Sequence, residues 1–212
     1  RRSSDLLTVS GGHTQLVDVR SPWELEVVGT TLDDAAGEAF DKVAKMIGLP
    51  YPGGPHVDRL AQEGNPDAFP FAAPRMDNLD FSFSGLKTSV LRTLEKDRGH
   101  AMQRDGWRAD VCASLQRTIV KMLVSRLEEA ADLHGRTAIA IQGGVSANSG
   151  LRNAVQELGA RRGWSVHIPP FKYCTDNGAM IAMAGQFAAM KGKEGGLGDG
   201  PLPRWPMESA QA

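Results

Sequence analysis

Two glycine pairs, with the polar residues beside them, are the places where this chain could do chemistry. Ser10-Gly11-Gly12-His13 separates two apolar segments, and Gly143-Gly144-Val145-Ser146-Ala147-Asn148 separates an apolar run from a helical one. Glycine carries no Cβ, so its backbone N–H groups can approach a phosphate or carboxylate oxygen closely. The first pair is equally what a tight hairpin turn requires, since such turns need positive φ. The second lies where ligands bind in parallel α/β sheets, beyond the carboxyl end of a strand. A helix N-terminus follows it, which favours anions. Asn148 there is a helix N-cap, a ligand contact, or both.

Acidic residues form the next candidates. Asp34, Glu38, Asp41 and Lys45 share a helical face. They read as a solvated face with an Asp41–Lys45 pair, or, if the Gly53-Gly54 loop folds beside them, as a place where Asp41 holds a ribose diol. Asp176 reads as the cap of a last helix. As a metal ligand it needs partners, and the histidines at positions 13, 56, 100, 134 and 167 show no pair at helical spacing. Ser84-Gly85-Leu86-Lys87-Thr88 lacks the first glycine and the spacing of a phosphate loop, which excludes that motif. Cys112 falls in an apolar helix as a packed residue would, and Cys174 has no neighbour that marks it as reactive.

The elements that must position these residues follow from composition and periodicity. The chain has 212 residues, 41% hydrophobic and 23% charged, with a net charge of −1. That is a globular mix without a global basic footprint, so a nucleic-acid partner would need a local basic patch. No apolar run approaches the ~18 residues of a membrane span, and the two cysteines suggest free thiols in the cytoplasm rather than a disulfide framework. Leu6–Ser10, His13–Arg20 and Leu25–Thr31 read as three strands of an antiparallel meander. A helix follows, with Asp33 and Asp34 as its cap, Ala36, Ala39, Phe40, Val43 and Ile47 on one face and Gly48 as its stop. Residues from about 52 to 107 are irregular and proline-containing and read as an insertion, after which Val111 to Leu127 mark an amphipathic helix. Thr137–Gln142, a helix through Leu158, and Ser165–Ile168 make a parallel, right-handed βαβ unit. A helix over Ala179–Met190 ends the lobe, and residues 191–212 form a loose tail.

The predicted fold class is therefore α/β, in the order βββαβαβα with a helical insertion. This is the plan of one lobe of the actin-like, sugar-kinase-like (ribonuclease H-like) architecture. Residues 1–190 are expected to form that lobe. Such proteins enclose a ligand between two lobes, so an N-terminal lobe is expected to be absent from this chain.

Taken together the segments resemble the TsaD family, the tRNA N6-adenosine threonylcarbamoyltransferases. The resemblance is carried by Val9-Ser10-Gly11-Gly12-His13-Thr14-Gln15-Leu16, Asp33-Asp34-Ala35-Ala36-Gly37-Glu38-Ala39-Phe40-Asp41-Lys42 and Tyr51-Pro52-Gly53-Gly54-Pro55. Phe81-Ser82-Phe83-Ser84-Gly85-Leu86-Lys87-Thr88, which looks like the bacterial and organellar branch, Gly143-Gly144-Val145-Ser146-Ala147-Asn148 and Cys174-Thr175-Asp176-Asn177-Gly178-Ala179-Met180-Ile181-Ala182 complete it. It implies an acyltransferase that moves the threonylcarbamoyl group from threonylcarbamoyl-adenylate to N6 of the adenosine 3′ of the anticodon, with AMP leaving. It implies substrate contacts at Thr8, Val9, Ser10, Gly11, Gly12, Asp41, Gly54, Asp58 and Asn148, and Asp176 as a ligand of one divalent metal, iron or zinc. Family members place a His-x-x-x-His pair upstream of the Ser-Gly-Gly loop. That pair is missing here, so this chain is expected to be about the C-terminal two-thirds of such a protein, inactive by itself and poor at retaining metal. The implied partners are tRNA, an actin-like paralogue and a P-loop ATPase. Arg75, Lys87 and Arg92 are candidates for tRNA phosphate contacts. No general base is readable. A non-catalytic actin-like scaffold and a carbamoyl transferase for a small molecule are the competing functions. Proteolysis has no readable Ser/His/Asp arrangement or complete zinc motif.

Overall fold

Alternating apolar residues build the central sheet. In this computed structural model, which describes residues 3–74, 76–96, 104–192, 195, 196, 198 and 200, β1 (Ser4–Val9) buries Asp5, Leu7 and Val9 at every second position. It pairs antiparallel with β2 (Thr14–Ser21), which pairs antiparallel with β3 (Glu24–Thr30). β4 (Ala138–Gln142) lies parallel to β1, and β5 (Ser165–His167) parallel to β4. The order across the five-stranded sheet is β3-β2-β1-β4-β5. Parallel pairing of β1 with β4 brings both glycine pairs to one end of the sheet, because each follows the carboxyl end of its strand.

The helices are α1 (Ala36–Met46), α2 (Gly53–Ala61), α3 (Ser84–Lys96), α4 (Trp107–Leu133), α5 (Ser149–Arg162) and α6 (Gly178–Met190). Leu7, Leu16, Ile139 and Ile141 of the sheet join Phe40 and Val43 of α1, Leu115, Ile119 and Leu123 of α4, and Leu151 and Val155 of α5 in one core.

Three local expectations are corrected. The stretch expected to be irregular holds two helices, α2 and α3. Val57 of α2 and Leu86 and Val90 of α3 join the common core. Proline and glycine in this stretch mark the loops between the helices and masked that periodicity. Asp33 and Asp34 do not cap α1. Its N-cap is Ala35, and the Ala36 N–H donates instead to Thr14 Oγ1 at 2.9 Å. Asp33 caps α3, accepting from the N–H groups of Phe83 (2.7 Å) and Ser84 (3.2 Å) and from the hydroxyls of Ser82 and Ser84. Finally, α6 is capped by Asn177, whose Oδ1 accepts from the Met180 N–H, and not by Asp176. Arg75 and most of the tail, including Trp205, lie outside the described residues.

Candidate nucleotide-binding site

Close backbone packing sets the floor of the site. Gly143, at φ 90°, follows β4, and a Cβ there would collide with the Val9 carbonyl of β1. The two glycine pairs therefore sit side by side. Gly37 in the first turn of α1 donates its N–H to the Ser10 carbonyl at 3.2 Å, and a Cβ on it would fall 2.6 Å from that oxygen. Any larger residue would lift α1 off the loop. Ser10 closes the turn, its N–H donating to the His13 carbonyl and its Oγ accepting from the N–H groups of Gly12 (3.3 Å) and His13 (3.0 Å).

Above this floor lies a cavity of about 420 Å³, lined among others by Gly11, Asp41, Gly54, Asp58, Gly144 and Asn148. Asp41 does not pair with Lys45. Its Oδ1 accepts the N–H groups of Gly53 (2.7 Å) and Gly54 (3.3 Å) and so caps α2. The Gly53-Gly54 loop is thus folded beside Asp41. Lys42 instead takes the acids of the helix face, 2.6 Å from Asp34 and 2.7 Å from Glu38. The hydrogen bonds to Asp34 and Glu38 hold its ammonium above the ordinary lysine range.

Asp58 and Asn148 cap α5 in the same manner. Asp58 Oδ1 accepts from the Ser149 N–H (3.0 Å) and hydroxyl (2.7 Å). Asn148 Oδ1 accepts from the Leu151 N–H at 2.9 Å, and its Nδ2 donates to Gln116 at 2.8 Å. In both aspartates Oδ1 makes these bonds, and among the described residues Oδ2 has no hydrogen-bond partner. The cavity therefore offers two preorganised carboxylate oxygens to hydroxyl donors and, at Gly11 and Gly144, open backbone to an anion.

The remaining expected residues lie outside the cavity lining. Thr8 Oγ1 accepts from Gln142 Nε2 at 2.9 Å and Val9 is fully buried, while Ser10 and Gly12 shape the turn that presents Gly11. Lys87 and Arg92 are exposed on α3, away from the cavity. Asp176 is exposed ahead of α6, and among the described residues it joins no group of three or more His, Cys, Asp or Glu side chains that could hold a metal. One carboxylate is not a metal site, so these residues alone do not fit the implied ion. Asp5, Asp18 and His134 do come together, but at the other end of β1. There Asp18 is held by Arg136 (2.6 Å) and Arg20 (2.8 Å), and two guanidinium groups oppose a cation. Cys112 is fully buried and burial pushes its thiol up to about 12, which excludes it as a nucleophile. Cys174 is buried against the carbonyls of Pro169 and Pro170.

Tyr51, Arg59 and Gln62 also line the cavity, and sequence reading missed them. The signal was the spacing Pro55, Asp58, Arg59, Gln62, which shares one face only once the segment is known to be helical.

The profile of a family described as tRNA N6-adenosine threonylcarbamoyltransferase (TsaD) matches residues 5–183. The chain is 52% identical over 189 residues to the tRNA N6-adenosine threonylcarbamoyltransferase of Porphyromonas gingivalis, covering 88% of this chain and 55% of that protein. It is 46% identical over 209 residues to the same-named protein of Chromobacterium violaceum, covering 97% and 61%. The chain thus spans little more than half the length of these relatives. Among solved structures, HypF of T. kodakarensis superposes with a TM-score of 0.68 over 91% of this chain and 35% of that one, at 13% identity. Full-length HypF in a phosphate- and nucleotide-bound form gives 0.65 over 92% and 34%, also at 13% identity. At that identity the likeness shows the fold, which is the expected actin-like α/β lobe. No helix among the described residues is long and apolar enough to cross a membrane.

Proposed function

This chain belongs to the TsaD family of tRNA N6-adenosine threonylcarbamoyltransferases, and on that premise we propose that it forms the adenylate-binding lobe of an enzyme that threonylcarbamoylates tRNA. The substrates are threonylcarbamoyl-adenylate and the adenosine 3′ of the anticodon in tRNAs that read codons beginning with adenine. The observation that carries the reading is the convergence in one cavity of Gly11, Asp41, Gly54, Asp58 and Asn148, which come from four separate stretches of chain.

The geometry suits the chemistry. N6 of the acceptor adenosine attacks the carbamoyl carbon, the bond from that carbon to the phosphate oxygen breaks, AMP leaves with the bond electrons, and N6 gives up one proton to solvent. The free Oδ2 atoms of Asp41 and Asp58 suit ribose hydroxyls, and the Gly11 and Gly144 backbone suits the phosphoryl group and the negative charge that develops as it leaves. An exocyclic amine is a weak nucleophile, so rigid placement of the donor supplies much of the acceleration. Caps on α2 and α5 made by the site's own side chains provide that rigidity. A divalent metal, iron or zinc, would supply Lewis acidity when bound. Asp176 would be one of its ligands, and a His pair on a preceding lobe the others. Partner subunits, an actin-like paralogue and a P-loop ATPase, would act with it in the cytoplasm.

The test is threonylcarbamoyl incorporation into tRNA by the gene's full-length product with its partner subunits. Asp41→Asn keeps an acceptor for the Gly53 and Gly54 N–H groups but removes the charge offered to a diol. We expect kcat/KM to fall by about tenfold, the difference between a charged and a neutral hydrogen bond. No incorporation by the wild type would overturn the reading. Wild-type activity unaffected by Asp41→Asn would overturn the ribose assignment alone.

A further inference from the structure

The α2 wall of the cavity carries two polar side chains with no role in the account above. Pro55, Asp58 and Arg59 of α2 and Gln62 at its C-cap share one face and all line the cavity. Asp58 is engaged by Ser149. Arg59 and Gln62 are different. Both are exposed, and among the described residues neither side chain has a hydrogen bond, ion pair or ring partner. Cations on neighbouring helices are of two kinds: Lys45 of α1 and Lys121 of α4 are also exposed without a side-chain partner among the described residues but lie outside the cavity lining, whereas others are paired. Lys42 is held by two carboxylates, Arg117 by Asp67, and Arg108 by the Ile47 carbonyl and the Trp107 ring. Arg59 is therefore a planar, fully charged group held at a cavity wall with nothing to bind.

Contacts along the walls say which part of a ligand it would meet. The first turn of α1 rests on the Ser10-Gly11 loop through Gly37, and the next turn meets the start of α2 through Asp41. Arg59 in the last turn of α2 and Gln62 at its C-cap stand about 8 and 12 Å of helix rise beyond Gly54. A phosphoryl group on the Gly11 backbone and a ribose at Asp41 leave the base to extend toward these residues. An acidic ligand group is already served by the glycine loop, which leaves Arg59 and Gln62, with the Tyr51 ring also in the lining, for the base.

We propose that Arg59 and Gln62 are the nucleobase-recognition pair of this cavity. Arg59 lays its guanidinium plane on the face of a purine, and the Gln62 amide, which both donates and accepts, reads the edge that carries N6. This rests on the reading of the ligand as an adenylate. Lysine would not replace Arg59, since an ammonium has charge but no plane to stack.

Titration calorimetry on the gene's full-length product with AMP, adenosine and ribose 5-phosphate tests it. Arg59→Ala should weaken AMP and adenosine by about fivefold to tenfold, an order of magnitude set by partly exposed cation–π contacts, and leave ribose 5-phosphate unchanged. Arg59→Lys should behave as Arg59→Ala does. Gln62→Ala should narrow the preference for AMP over inosine monophosphate. Equal losses for AMP and ribose 5-phosphate in Arg59→Ala would make Arg59 a phosphate contact and overturn the proposal, as would unchanged binding of all three. If the wild-type full-length product binds neither AMP nor adenosine, the adenylate reading itself fails, and the pairing with it. That failure is seen in the wild type rather than in the variants. Circular dichroism of each variant confirms an intact fold.

Discussion

Helices α1 and α6 are built on opposite plans. α1 carries Glu38, Asp41, Lys42 and Lys45, yet it buries Ala36, Gly37, Ala39, Phe40, Val43 and Ala44. α6, with the sequence GAMIAMAGQFAAM, has no charged residue and buries none of its side chains. Ile181 is 76% exposed and Met183 53%. α6 meets the meander through Phe187, edge-on to Trp23 at 6.1 Å, and through Lys191 just past its end, 5.3 Å above the same ring. Composition therefore does not decide burial. An amphipathic helix whose N–H groups are capped by a distant side chain is locked in place, while a uniformly apolar helix without a facing surface stays open.

The contrast breaks first, and by the largest amount, in the layer beneath α1. Phe83 is fully buried and stacks on Phe81 with ring centroids 6.1 Å apart. Phe83→Ala removes a ring from a close-packed core and should cost about 3–5 kcal/mol, a large part of a typical folding free energy of about 5–15 kcal/mol. Urea unfolding followed by circular dichroism measures it. A loss below about 1 kcal/mol would mean that this layer is no better packed than α6.

Smaller effects, opposite in sign, separate two aspartates. For Asp33 burial works to raise the pKa, but hydrogen bonds from the Ser82 and Ser84 hydroxyls and the Phe83 and Ser84 N–H groups outweigh it and hold the carboxyl below its ordinary value. Its stabilisation is present above the unfolded pKa of about 3.9 and is lost as pH falls through the lower folded value. Asp5 is fully buried, and its Oδ2 has no partner. Burial pushes it up against the opposing hydrogen bond and charge of His134. Stability from Asp5 is therefore greatest below about pH 3.9 and declines as pH rises toward the folded pKa. Asp33→Asn should lose stability at neutral pH, by about 1 kcal/mol as for a weakened helix cap, and should flatten the loss at acid pH. Asp5→Asn should gain stability at neutral pH relative to wild type. Urea midpoints from pH 3 to 7 decide it, and slopes of the same sign in the two variants would refute the assignment.

Part of this was legible in the sequence because it depends on short-range pattern. β1 alternates every second residue, the βαβ unit has its spacing, and the glycine pairs interrupt apolar runs. The blocks around Asp41, Gly54, Asp58 and Asn148 were readable as family motifs. What each side chain bonds was not. Asp33 sits next to α1 in sequence but caps α3, 50 residues on. Asp41 looked like a partner for Lys45 and instead caps α2. Capping needs only an acceptor near an open helix N-terminus, and tertiary folding decides which N-terminus arrives. Arg59 and Gln62 were missed because the helix that aligns them was not read from a stretch punctuated by Pro52, Pro55 and Pro66.

The smallest expected effect is the most informative about α6. Replacing Ile181 by Gln exchanges an apolar side chain that the other described residues leave 76% exposed for one with good helix propensity. With no cavity to open and no buried partner to lose, the change in unfolding free energy should stay within about 0.5 kcal/mol. The same substitution at Val43, which is fully buried on α1, places an amide in an apolar layer and should cost several times more. Paired urea titrations of the two variants therefore measure the difference between the helices directly. If Ile181→Gln cost more than about 1 kcal/mol, α6 would have to be buried in solution by a surface other than those described, and its plan would no longer be the opposite of that of α1.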